Sequence, residues 1–250
     1  MPRTIVALML REMATTYGRS VGGYLWAVAE PVAGIALLTF IFSMTFDRPA
    51  LGNNFALFYA TGYLPFMLYN DVAGKIASAI PFSRPLLAYP SVTYVDALIA
   101  RWLLNVITQI VVFIIILGGI DAIYDLDTPW NLSSLTLGIA LGSLLAAGIG
   151  TLNGYLFLEF PVWQRIWAIA NRPLFLISGV LFTYDMMPPT AQAVLWWNPL
   201  IHIVGLVRDG VYGTYDSSYV SPALVAAVGL LALFFGLLLL SRHYQRLIER

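Results

Sequence analysis

The stretch Ala223–Leu240 runs without a single polar side chain, and Trp102–Ile120 runs without a charge. About 20 apolar residues in helical form cross a bilayer, and lipid offers no hydrogen-bond partner to an exposed backbone. Segments of this kind therefore read as transmembrane helices. Four further stretches extend the pattern: about Leu25–Phe46, Phe55–Tyr69, a segment within Leu135–Leu158, and Val162–Thr183. The chain has 60% hydrophobic and only 10% charged residues, against about 25% charged in an average soluble domain. So few charges could not cover a water-soluble surface. The predicted fold is an all-α membrane protein, a single transmembrane domain over residues 1–250. It has an interfacial helix over 1–23, six spans within 25–240 and a tail over 241–250.

Charge placement orients these spans. With six crossings the two ends share a side, and that side receives Arg3, Arg11, Arg19, Lys75, Arg84, Arg101, Arg165, Arg172, Arg242, Arg246 and Arg250. The other side keeps Arg48 and Arg208 of the 13 basic residues. Cytoplasmic loops collect Lys and Arg, so both termini are expected in the cytoplasm. The first twenty residues, punctuated by Arg3, Arg11, Glu12 and Arg19, lack the apolar core of a cleaved leader. They read instead as an amphipathic helix, with Ile5, Leu8, Met9, Met13 and Tyr17 on one face. Gly74–Tyr94 is polar and broken by Pro81, Pro85 and Pro90, enough for one short helix and two turns. On the opposite side, Ala191–Trp197 and Leu200–Val211 are too short to cross and read as re-entrant or interfacial helices.

Several chemistries are disfavoured. A phosphate-binding loop needs G-x-x-x-x-G-K-[ST]; Lys75 is the sole lysine, Ile76 replaces the hydroxyl and Tyr69 the first glycine. ATP hydrolysis is therefore expected on another polypeptide, and this chain is not expected to be an enzyme. Gly18-Arg19-Ser20-Val21-Gly22 matches a nucleophile elbow, but without the strand and the His and Asp partners that elbow requires. With zero cysteines there is no disulfide framework or thiolate metal site, and no histidine or carboxylate group has metal-ligand spacing. A formal net charge of zero implies no bulk attraction to nucleic acid.

Three features point to transport. Phe55, Phe58, Tyr59, Tyr63, Phe66 and Tyr69 share one face of the second span. Flat aromatic faces with hydroxyl rims suit sugar rings; helix packing is the alternative, and both stand. Arg172 and Glu30 sit at membrane depth, where a charge costs about 2.5–3.5 kcal/mol unless it faces water or a partner. Arg172 is expected along a conduit for an anionic substrate and Glu30 in a structural pair. Gly138, Gly142, Ala146, Gly150 and Gly154 make a small-residue ridge for close helix packing, expected within one subunit.

These pieces resemble the membrane permeases of type-2 ABC exporters that move capsular polysaccharide, O-antigen and related glycans. The resemblance covers essentially the whole chain. It rests on Leu10-Arg11-Glu12, Gly23-Tyr24-Leu25-Trp26, Glu30-Pro31, Ile99-Ala100-Arg101, and Trp197-Asn198-Pro199-Leu200 with His202. Among branches the chain looks closest to capsule exporters of Gram-negative bacteria, in the inner membrane. The resemblance implies a homodimer bound to two copies of an ABC ATPase subunit that holds ATP and Mg, with no cofactor on this chain. Lipid-linked polysaccharide would pass at the dimer interface, touching Tyr59, Tyr63, Phe66, Tyr69 and Arg172. Arg11, Arg19, Trp26 and Glu30 would frame its way in. Ile76, Phe82, Arg84 and Leu87 would meet the ATPase, and Trp196, Trp197, Asn198 and His202 would close the outer mouth. A periplasmic or outer-membrane partner stays open, as does a drug, lipid, O-antigen or teichoic-acid-type exporter of the same architecture.

Overall fold

Helix starts follow signals visible in the sequence. Asn54, Asn131 and Asn198 each cap the helix that follows by accepting a backbone N–H, and Thr93 with Asp96 forms a reciprocal capping box. Pro161, Pro189, Pro199 and Pro222 occupy first helical positions, where a missing N–H costs nothing. A computed structural model describes residues 2–16, 22–87, 89 and 92–249. In chain order the helices are α1 (Pro2–Thr16), α2 (Gly23–Ser43), α3 (Phe55–Ala77), α4 (Ala79–Leu87), α5 (Tyr94–Tyr124) and α6 (Leu132–Glu159). They continue with α7 (Pro161–Ile177), α8 (Pro189–Leu195), α9 (Pro199–Val211) and α10 (Pro222–Glu249). A short 3-10 turn, Tyr184–Met186, precedes α8, and no strand occurs among the described residues.

Among the described residues, four helices are long and apolar enough to cross a membrane: α2, α5, α6 and α10, the last counted over Pro222–His243. The α8–α9 pair, bent by 102°, would make a fifth if it were one broken span. The described residues are thus all-helical, with several helices long and apolar enough to cross a membrane. α3 has the length of a span, at 23 residues, but carries Asn70, Asp71 and Lys75 in its last turns.

α3 is the hub, packed against α2, α5, α6 and α9. Most of its residues are buried, including Phe58, Leu64, Leu68 and Val72. The glycine ridge of α6 serves packing within the chain, as expected. A Cβ at Gly150 would lie 2.8 Å from the Ala73 carbonyl of α3. On the opposite face of α6, a Cβ at Gly148 would lie 2.1 Å from the Gly229 carbonyl of α10, so the two backbones touch there. α9, a short helix on sequence grounds, is almost wholly inside: Leu200 through Val207, Arg208, Gly210 and Val211 are all buried. α2 and α7 lie at the other extreme. α7 buries no residue, and Leu25, Trp26, Leu37 and Phe40 of α2 stand exposed.

Candidate functional site

The aromatic residues of α3 recur at spacings that keep them on one side of the helix, and α2 and α7 flank that side. Tyr63 sits between them. A Cβ on Gly34 of α2 would lie 2.7 Å from its hydroxyl, and its ring meets Phe175 of α7 edge-on at 6.1 Å. Phe66 meets the same Phe175 at 5.2 Å, also edge-on. These rings pack together midway along α3, and their contact is the throat of that face.

Beyond the throat, toward Lys75, lies a cavity of about 430 Å³. Its lining includes Tyr69, Asn70, Asp71, Lys75, Asn153, Trp167 and Asn171. Trp163 donates its indole N–H to Asn153 Oδ1 (3.0 Å), and the Asn171 amide donates to Asn70. Asn171 Oδ1 is buried without a hydrogen-bond partner. Gln109 of α5 donates to Asp71 Oδ2 (2.9 Å) and fixes that carboxylate. Amide groups donate and accept in pairs, and aromatic faces cover apolar ring surfaces, so this lining fits hydroxyl-rich rings. At the opposite end, near Arg48, a second cavity of about 330 Å³ is lined by Phe42, Phe46, Phe55, Phe58, Tyr59 and Phe182.

The predicted conduit residues therefore separate. Tyr69 lines the first cavity, Tyr59 the second, and Tyr63 and Phe66 the throat. Much of each ring is nevertheless committed to packing: Tyr59, Phe66 and Tyr69 are buried, and Tyr59 lies tilted on Phe42 at 5.2 Å. Arg172 stands exposed next to Asn171, outside the cavity lining, and Glu30 is exposed on α2. They do not pair, because the one ion pair among the described residues is elsewhere. The expectation of an internal partner for Glu30 is thus replaced by an exposed carboxylate whose charge reaches Tyr63 and Asp71.

That ion pair joins α1 to α5. Arg101 Nε donates to Glu12 Oε1 at 3.0 Å, with both side chains at least nine-tenths buried. Arg101 Nη1 donates to the Lys75 carbonyl (2.8 Å) and to Ser78 Oγ (2.9 Å), and its guanidinium stacks on Phe82 at 4.1 Å. Arg11 approaches the same ring at 5.5 Å. The coupling segment expected over Ile76–Leu87 is consequently two pieces. α3 continues through Ala77, Ser78 is a one-residue break, and α4 follows. Ile76 and Leu87 point inward, so Arg84 and its proline neighbours form the outer side of α4. Trp26 is exposed at the start of α2, and Arg19 lies outside the described residues.

The α8–α9 corner is a brace. Asn198 caps α9 through Leu200 N–H and donates to the Ile177 carbonyl (3.0 Å) at the end of α7. His202, fully buried, has both ring nitrogens engaged. Nε2 donates to the Trp196 carbonyl (2.7 Å) and Nδ1 accepts from Ser221 N–H (3.2 Å), which fixes the neutral tautomer. Trp196 donates to the Tyr219 carbonyl (3.1 Å), whereas Trp197 is exposed. Arg208 was not singled out on sequence grounds. It is 1% exposed and lacks a carboxylate partner. It donates to the Phe182 (2.7 Å) and Val180 (3.4 Å) carbonyls and lies over Phe58 at 4.5 Å, pinning the turn after α7 to α9 and α3. Among the described residues no group of three or more metal-ligating side chains comes together.

The chain is 33% identical over 236 residues to the polysialic acid transport protein KpsM of Escherichia coli, covering 94% of this chain and 92% of that one. It is 27% identical to the capsule polysaccharide export inner-membrane protein CtrC of Neisseria meningitidis, covering 96% and 91%. It is 28% identical to the capsule polysaccharide export inner-membrane protein BexB of Haemophilus influenzae, covering 99% and 93%. The profile of the ABC-2 type transporter family matches residues 3–212, and the chain belongs to that family.

Proposed function

We propose that this chain is the membrane-spanning permease subunit of an ATP-driven exporter. It moves lipid-linked capsular polysaccharide across the bacterial inner membrane. The observation that carries this reading is the α3 face. It has an amide- and aromatic-lined cavity at one end, an aromatic cavity at the other and the packed rings of Tyr63, Phe66 and Phe175 between them, in a chain whose near-full-length relatives include capsule polysaccharide export inner-membrane proteins.

Six crossings and cytoplasmic termini fit best. Twenty-three residues make α3 about 34 Å long, against a hydrocarbon core of about 30 Å, and its polar turns then face the path instead of lipid. Seventeen residues make α7 about 25 Å. α8 and α9 return to the outer side as a re-entrant corner. The exposed faces of α2 and α7 meet a second copy, so that two α3 faces enclose one passage. Glu30 and Arg172 then border that passage, and Trp26 and α1 frame its inner opening. α4 meets the ATPase through its Arg84 side, and nucleotide binding on that partner drives the rearrangement that opens the throat.

The test is deletion of the chain from its host followed by complementation, with surface polysaccharide measured and the complex purified. Surface polysaccharide should disappear and return, and an ATPase should co-purify. The natural chain has no cysteine, so single cysteines near either terminus can be labelled against no background. Labelling of the two termini from opposite faces of the membrane would overturn the topology.

A further inference from the structure

Two stretches far apart in sequence, α1 and the α3–α4 junction, converge on one guanidinium carried by α5. Arg101 holds Glu12 of α1 through Nε, the Lys75 carbonyl near the end of α3 and the Ser78 hydroxyl at the break through Nη1, and the Phe82 ring of α4 through its face. Arginine alone among side chains offers a rigid planar fork and a stacking face together. The site is desolvated, with Arg101 6% and Glu12 4% exposed at the side chain. A buried ion pair is poor evidence for stability, because desolvation offsets most of the Coulomb attraction. Its geometry is better evidence for registration. A fixed fork lets α1 and the α3–α4 junction move only together. α1 packs chiefly on α5 beyond this contact, with Leu8 its one buried apolar side chain among those described. Its other direct link to α4 is the longer approach of Arg11 to the Phe82 ring at 5.5 Å.

We infer that Arg101 is the positioning residue that makes α1 follow the Ser78 junction, so that a displacement of α4 by a motor protein moves the helix at the inner opening of the passage. The inference rests on the permease reading given above. The geometry assigns the link to the clamp as a whole and not to the charge of Arg101 alone. Glu12 positions the guanidinium, Phe82 supports its face, and the Lys75 carbonyl and Ser78 are what it pulls on.

The test uses the complex of the full chain with its ATPase, in cells and purified. The double variant Glu12→Gln with Arg101→Met removes the link and leaves no uncompensated buried charge. Surface polysaccharide should fall about tenfold, within the 5–150-fold span of ordinary coupling energies, while ATPase co-purification and ATP turnover hold within about twofold. Arg101→Lys keeps the charge but not the fork, and should show the same separation of turnover from export. Turnover and export falling in parallel would mean a structural role only, and full export by Arg101→Lys would overturn the clamp. If the double variant does not accumulate, Phe82→Leu decides. It removes the stacking platform and leaves the ion pair, so unchanged export in that variant sinks the inference and reduced export at normal turnover supports it. Absence of any ATPase from the natural complex would instead refute the permease reading, a distinguishable result.

Discussion

Gly74 lines the cavity at the Lys75 end of α3, and a Cβ built on it meets nothing within 4 Å. That open space separates what the fold tolerates from what a substrate tolerates. Replacing Gly74 with alanine adds a methyl to a helix interior at no steric cost. It should stabilise the chain by about 0.5–1 kcal/mol through the unfolded state. For a chain of this size the gain is roughly 1–4 °C in melting temperature. Gly74→Trp keeps part of that backbone benefit but projects a large aromatic side chain into a space of about 430 Å³. If glycan threads this cavity, every 1.4 kcal/mol of obstruction costs tenfold in rate, and surface polysaccharide should drop by about tenfold or more. The assay pairs capsule immunodetection with the amount and melting temperature of the purified complex. A Gly74→Trp protein of normal abundance and melting temperature that exports at the natural rate would remove the cavity from the path.

Other perturbations follow from the same geometry. Gly148→Ala forces α6 and α10 apart by about 1 Å, and should destabilise by about 1–3 kcal/mol in thermal melts, whereas Gly118→Ala, which meets nothing within 4 Å, should not. Phe66→Ala vacates a buried aromatic contact and should cost about 3–5 kcal/mol. Its export defect is therefore interpretable only beside a measured melt, while an undisturbed melt would show that the throat is loosely packed. Asn198→Ala removes the α9 cap and the link to the Ile177 carbonyl, and should lower stability by about 0.5–2 kcal/mol. Asp185, in the turn before α8, has its carboxyl held above the usual range by desolvation and by Asp216. Its charged form is thus disfavoured in the folded chain. Asp185→Asn should melt higher than the natural protein at neutral pH, with the advantage vanishing as pH falls below the ordinary carboxylate range. An equal advantage at all pH values would refute that cause.

Most helices were legible because lipid permits few alternatives and because Asn54, Asn131, Asn198 and the helix-starting prolines announce where helices begin. The α6 glycine ridge was readable as packing from its spacing alone. The aromatic stripe of α3 was readable as a face but not as a path. Periodicity places Tyr59 and Tyr69 on one side without saying that a Phe175 from α7 divides them. Long-range pairings were invisible. Leu10-Arg11-Glu12 and Ile99-Ala100-Arg101 each stood out, yet nothing local says that residues 89 apart share a bond. Arg208 counted only as an outer-side charge within the short helix Leu200–Val211, and tertiary burial turns it into an anchor. Glu30 and Arg172 stood out by their depth in the membrane, but nothing local says that both stand exposed, on α2 and α7.

The one-residue break at Ser78 has a consequence for how such a protein can evolve. The helix whose side chains line the cavity also supplies, within its last turn, the carbonyl that Arg101 grips. Inserting or deleting a residue between Gly74 and Ser78 would swing the junction by about 100° around the helix axis relative to the cavity wall. Cargo preference can therefore drift by exchanging side chains along α3, but the length of that last turn is fixed, because lever and lining are cut from the same rod.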